Sequence, residues 1–136
     1  MRFMMLVKGD KDYEAGAPPR PELMAAIGAL GEEMARAGKL LEMGGLAPSA
    51  MGARLNLEGG SVRVTDGPFS ESKEVIGGFS ILEVASKEEA LAEARKFMEL
   101  HRVHWPKWEG QIEIRPMYEQ DDDVQATQIE ASARLG

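Results

Sequence analysis

Leu55-Asn56-Leu57-Glu58-Gly59-Gly60-Ser61-Val62-Arg63-Val64-Thr65-Asp66-Gly67-Pro68-Phe69 is the stretch from which the fold is read. Leu55 and Leu57 alternate with polar neighbours, and Val62 and Val64 answer them across Gly59-Gly60. Period two marks strands, and paired glycines accept the positive φ of a tight hairpin turn. After Thr65 the chain must leave the hairpin. Gly67 supplies backbone freedom, while Pro68 removes a donor and fixes φ, and Asp66 is free to bond backbone amides of the turn.

Upstream, Leu41-Glu42-Met43-Gly44-Gly45-Leu46 predicts a short strand. Before it, Leu23, Ile27, Leu30, Met34 and Ala37 form one helical stripe, with Pro21 suited to the first turn and Gly38 to the stop. The segment from Gly9-Asp10 through Pro18-Pro19 reads as a polar loop. The first element, Phe3 to Val7, is apolar on both alternating faces: Phe3, Met5 and Val7 on one, Met4 and Leu6 on the other. Such a strand is covered on both sides.

Downstream, Gly78 to Val84 predicts a strand, and Ser86 with Glu89 makes a capping-box pair that starts a second helix. Its stripe is Ala90, Ala94, Phe97 and His101, flanked by Leu91 and Met98, and it lasts to about residue 102. The last strand, Ile112 to Arg115, sets Ile112 and Ile114 against a polar face of Gln111, Glu113 and Arg115.

This order describes an α+β fold: a ferredoxin-like sandwich with a hairpin insertion, two helices covering one face of a mostly antiparallel sheet. A two-layer fold leaves the second apolar face of the first strand in water. A second protomer's sheet would cover it, so a homodimer is expected. One domain over residues 1–118 is followed by an acidic tail, 119–136, expected to be disordered or partly helical over Ile129 to Leu135.

The run Thr65-Asp66-Gly67-Pro68-Phe69, followed by Glu71, Lys73-Glu74 and Gly77-Gly78-Phe79, resembles the signature of the YCII-related proteins, in the branch called DGPF-domain proteins. The resemblance extends to Arg2–Val7, to Gly52-Ala53-Arg54-Leu55 and to Ile112-Glu113-Ile114-Arg115-Pro116. It implies a ferredoxin-like protomer that pairs into a dimeric α/β barrel with a small-molecule pocket, and, for most members, no established activity. Gly67, Pro68, Phe69, Gly77 and Gly78 are then its structural motif. The wider YCII branch uses a histidine in the first long helix with a nearby aspartate. Met24, Ala25 and Ala26 occupy that region here, so the pair does not carry over.

Composition sets independent bounds. At 136 residues the chain suits one domain. A net charge of -7 argues against nucleic acid and anionic membranes as partners, since both call for a cationic surface. The absence of cysteine excludes disulfides, thiol nucleophiles and thiolate metal sites, and the N-terminal apolar run stops at Lys8, too short for a signal or a membrane span. A cytoplasmic protein is expected. No Gly-rich phosphate loop occurs, and no cofactor is expected.

Two clusters carry candidate chemistry. In the first, Asp66 is the candidate proton carrier, with Lys73 neutralising an anionic or phenolic substrate beside Glu71 and Arg115, and Glu42 or Glu113 tuning them. The plainer reading is a structural turn and a solvated loop. The second is His101, His104, Trp105 and Trp108, which holds both histidines and both tryptophans. His101 lies on the helix stripe and reads as a packed residue, whereas His104, before Pro106, is the better catalytic candidate. No third ligand has the spacing for a metal site with these histidines, so none is expected. Two functions stay open: a cofactor-independent acid–base lyase or isomerase acting on a small molecule, or a non-catalytic dimeric module that binds a metabolite or a protein.

Overall fold

The computed structural model describes residues 1–70 and 74–119. Glu71, Lys73 and the acidic tail from residue 120 onward lie outside the described residues. Strand β1, Arg2–Lys8, occupies the middle of the main sheet because both its faces are apolar. It pairs antiparallel with β5, Ile76–Glu83, and with β6, Ile112–Pro116. Strand β2, Leu40–Gly45, pairs with the far side of β5, giving the order β2-β5-β1-β6. That is the ferredoxin-like arrangement, two split βαβ units sharing one antiparallel sheet.

One face of this sheet carries Phe3 and Met5 of β1 and Leu82 of β5, and it is covered by the helices. Helix α2, Pro21–Arg36, begins with its proline in the first turn and stops before Gly38, whose φ of 74° closes it. Its stripe behaves as the spacing predicts at Leu23 and Met34, both buried. Helix α3, Lys87–His104, is capped by Ser86, whose hydroxyl accepts the Glu89 N–H at 3.2 Å. The returning bond goes to the Ala85 N–H and not to Ser86, so the capping box is displaced by one residue. Leu91, read as a flank of the stripe, is 47% exposed because it lies one position off the buried face of Ala90 and Ala94. Phe3, Met34, Leu82, Val84 and Ala90 form the core. Phe3 and Leu82 are its best-buried large side chains, each worth about 1.5–3 kcal/mol of transfer free energy.

Two local elements differ from the sequence-based expectation. The segment taken as a loop between β1 and α2 contains a short helix, α1, Lys11–Glu14, because the Asp10 carboxylate caps the Tyr13 N–H at 2.8 Å. A 3-10 turn, Ser49–Met51, precedes the hairpin. The hairpin itself, β3 Ala53–Glu58 and β4 Ser61–Asp66, has the predicted register, Leu55 opposite Val64 and Leu57 opposite Val62. Gly59 and Gly60 both adopt positive φ, and the ribbon stands apart from the main sheet.

The outer face of the main sheet has an apolar centre of Met4, Leu6, Phe79 and Ile81 in cross-strand register. Among the described residues no helix is long and apolar enough to cross a membrane.

Candidate functional site

A cavity of about 680 Å³ lies between the helices and the covered face of the sheet. Helix α2 lends it Leu23, Ile27 and Leu30, strands β1 and β5 lend Met5, Val7 and Leu82, and Trp105 and Trp108 close one side. The paired strands β2 and β5 meet it with bare backbone at Gly44, Gly45, Gly77 and Gly78. The volume and the apolar lining are those of a small-molecule site, in which a few placed polar groups fix orientation.

Polar side chains among the lining include His101, Glu93, Ser80 and Tyr13, together with Lys8, Asp10 and Asp12. His101 is 6% exposed and is held between the Phe97 and Trp108 rings, at centroid distances of 4.7 and 4.3 Å. Its Nδ1 is 3.0 Å from the Phe97 carbonyl oxygen, which can only accept. This partner assigns the proton of the neutral ring to Nδ1 and leaves Nε2 as the basic atom. Burial depresses the His101 pKa below 6.5, and the Phe97 carbonyl only partly opposes it.

Glu93 is 4% exposed, an unusual state for a carboxylate. Its Oε1 accepts from Lys39 and from Lys96, each at 3.2 Å, while Oε2 has no hydrogen-bond partner among the described residues. Burial alone would raise its pKa, but the hydrogen bonds and charges of Lys96 and Lys39 outweigh that and hold it below the usual carboxylate range. Lys39 is correspondingly raised, by its hydrogen bond and charge pairing with Glu93 and, less, by Glu89 at 3.5 Å. The buried Ser80 hydroxyl on β5 is a second polar atom without a partner. Leaving such groups unpaired costs about 1–3 kcal/mol each. On the α1 side, the Tyr13 hydroxyl donates to the Leu46 carbonyl, and burial, then the neighbouring Glu14 charge, raises its pKa.

The residues singled out in the sequence are distributed differently. His104 ends α3 half-buried, and it is His101, one turn earlier and read as a packed residue, that reaches the cavity. Asp66 is exposed at the end of β4 opposite Ala53. The turn amides it was expected to hold are taken elsewhere: Gly67 N–H donates to the Gly52 carbonyl at 3.0 Å, and Phe69 N–H to Ser49 Oγ at 3.1 Å. Glu42, Glu113 and Arg115 share the outer face of the sheet, on the opposite side from the cavity. Glu42 and Arg115 stand in one row, Glu42 to Ile81 to Met4 to Arg115, three strand spacings or about 14 Å apart, too far for direct contact. Glu113 lies 3.8 Å from both Lys8 and Arg115, an ion-paired group. Gly77 and Gly78 do belong to the cavity wall. Glu71 and Lys73 fall outside the described residues. Among the described residues no three His, Asp or Glu side chains group as metal ligands.

Glu93, Ser80 and Tyr13 were not selected from the sequence. For Glu93 a signal existed: it lies three residues after Ala90 and four before Phe97, on the buried stripe of α3.

The sequence profile of the YCII-related domain family matches residues 1–99. An uncharacterised protein of Rhizobium meliloti (strain 1021) is 35% identical over 95 residues, covering 70% of this chain and 73% of that one. Among solved structures, the chain is similar to the 5-chloro-2-hydroxyhydroquinone dehydrochlorinase of Burkholderia phenoliruptrix AC1100, solved in complex with 2,5-dihydroxybenzoquinone. The likeness covers 90% of this chain and 100% of that one, at 18% identity and a TM-score of 0.46.

Proposed function

The chain belongs to the YCII-related domain family, and we propose that it binds a small, uncharged, phenol-like molecule in the cavity between helices and sheet and moves a proton on it without a cofactor. The carrying observation is that one apolar cavity is lined by two buried ionisable groups of α3, His101 and Glu93, eight residues or about 12 Å apart along the helix axis. His101 is neutral near physiological pH and offers Nε2 as a base. Glu93 is an ionised carboxylate with an unpaired oxygen, which can only accept. An acidic O–H or C–H of the ligand gives its proton to His101 Nε2, and a ligand hydroxyl that displaces the packing over the sealed Glu93 Oε2 donates to it. Return of that proton to another atom of the ligand is an isomerisation; departure of a leaving group with its electron pair is a lyase reaction. The predominantly apolar lining supports the phenolic half of the substrate expectation.

The protein works as a homodimer in this reading. Support comes from the apolar outer face of Met4, Leu6, Phe79 and Ile81, and from the hairpin, where Leu55, Leu57, Val62 and Val64 are 63–75% exposed. Apolar clusters of this kind mark interaction surfaces.

The test is a screen of monocyclic phenols such as catechol and 4-methylphenol by ligand-observed NMR, with proton exchange at ligand carbons followed in D2O. Binding that His101→Gln leaves intact while abolishing exchange supports the enzyme. Binding without any exchange makes the protein a non-catalytic metabolite module, for which the ion-paired Glu113 on the outer face is the favouring observation. No binding by any phenol overturns the reading.

A further inference from the structure

We infer that Ser49 is a positioning residue of the cavity, a latch through which the Asp66–Phe69 motif holds α1, and with it Tyr13, in the cavity wall. Helix α1 has four residues, none of them buried, and so short a helix does not persist on its own. Something else must fix it. The Tyr13 ring rests against Gly77, where a Cβ would meet it at 3.4 Å, and its hydroxyl reaches the Leu46 carbonyl. At the end of α1, both carboxylate oxygens of Glu14 are taken by one residue: Oε1 accepts the Ser49 N–H at 2.9 Å, and Oε2 accepts the Ser49 hydroxyl.

Ser49 is itself 7% exposed and clamped from the other side by the motif. Its Oγ accepts the Phe69 N–H at 3.1 Å. Gly67 packs so close that an added Cβ would lie 1.7 Å from the Ser49 carbonyl oxygen. One hydroxyl therefore accepts from the motif and donates to α1, using both capacities. The two donors from Ser49 also keep the Glu14 carboxyl below its usual range, hence ionised and able to accept both. The motif thus acts on the cavity through Ser49 and α1, without contributing a reacting group.

The latch stands on geometry alone; its consequence for binding rests on the cavity reading above. The experiment is hydrogen exchange on the full chain with Ser49→Ala, Ser49→Thr and Glu14→Gln. In Ser49→Ala the amides of Glu14, Ala15, Gly16 and Ala17, bonded within and just after α1, are expected to exchange about tenfold faster or more, with α2 and α3 unchanged. Ser49→Thr, which keeps the hydroxyl, restores protection, and Glu14→Gln, which loses one acceptor, falls between. Unchanged α1 protection in Ser49→Ala overturns the latch, as does loss spread evenly over α2 and α3. If Ser49→Ala does not fold, Glu14→Gln decides by the same criterion. Catechol affinity that stays constant while α1 loses protection overturns the positioning role. If no phenol binds the wild type, the cavity reading falls and the exchange result still decides the latch.

Discussion

The guanidinium of Arg54 lies 3.9 Å from the centroid of the Phe69 ring, so the Gly52–Leu55 run and the Asp66–Phe69 motif meet as cation and π-face. At a half-exposed site such a pair is worth about 0.5–1 kcal/mol. A double-mutant cycle of Arg54→Met and Phe69→Leu, read by urea denaturation, should return a coupling of that size. The other contacts of Arg54 cancel in the cycle, and a coupling of zero would reduce the stacking to proximity.

Gly67→Ala should be among the most damaging single-methyl changes in the protein. Its Cβ would fall 1.7 Å from a backbone carbonyl oxygen that cannot rotate away, and overpacking of this kind costs about 1–3 kcal/mol or more. Gly28→Ala is the matched control, inside α2 with nothing within 4 Å of the new Cβ. It should stabilise by about 0.5–1 kcal/mol, because alanine is the better helix former. Equal effects from the two would contradict the close approach at Ser49.

Burial of His101 sets a pH window. Its folded pKa is below 6.5, so on acidification the unfolded chain takes up the proton first. Stability is fully present above about pH 6.5 and is lost as the pH falls from there toward the folded pKa. Glu93 and Glu14, both held below 4.5, lose their contributions only at lower pH. Denaturation at pH 7.5 and 5.5 should show a drop for the wild type that His101→Phe lacks.

Glu93→Met separates stability from function. Replacing a buried charge by an apolar side chain of similar length is commonly neutral or stabilising, and Lys39 and Lys96 are exposed enough to turn to water. The thermal midpoint should hold or rise while phenol affinity falls by about tenfold or more, the loss of one charged hydrogen bond. A variant that keeps full affinity would remove Glu93 from the ligand's partners.

Leu57→Lys on the hairpin tests the proposed dimer. Leu57 is 75% exposed and contributes little to the protomer's own core. Light scattering after size exclusion should show a shift from dimer to monomer, with far-UV dichroism unchanged. An unaltered dimer would move the interface away from this ribbon.

The parts of the fold that were legible are those governed by local periodicity. The double-faced apolar pattern of Phe3 to Val7, the stripe from Leu23 to Met34 and the Leu55 to Val64 register all appear as read, because in each the apolar residues recur at a fixed period along the chain. Helix α1 was not legible. Four residues carry no period, and only the Asp10 cap distinguishes them from a loop. The site was legible only in fragments. Glu93 has stripe spacing, but a glutamate is assigned to solvent by default, and what buries it is the meeting of Lys39 from another segment with Lys96. Ser49 belongs to no motif, and its importance comes wholly from contacts 20 and 35 residues distant in sequence.

Gly45 and Gly78, opposite each other on β2 and β5, point at the cavity where other strands would present side chains, whereas Gly44 points to the Phe79 ring on the outer face. The chamber is therefore defined on that flank by omission, and its size can be edited one methyl at a time. At Gly45 a new Cβ would meet nothing within 4 Å, so an alanine there trims the chamber without disturbing the sheet. Such an edit changes which ligand fits while leaving His101, Glu93 and the Ser49 contacts untouched.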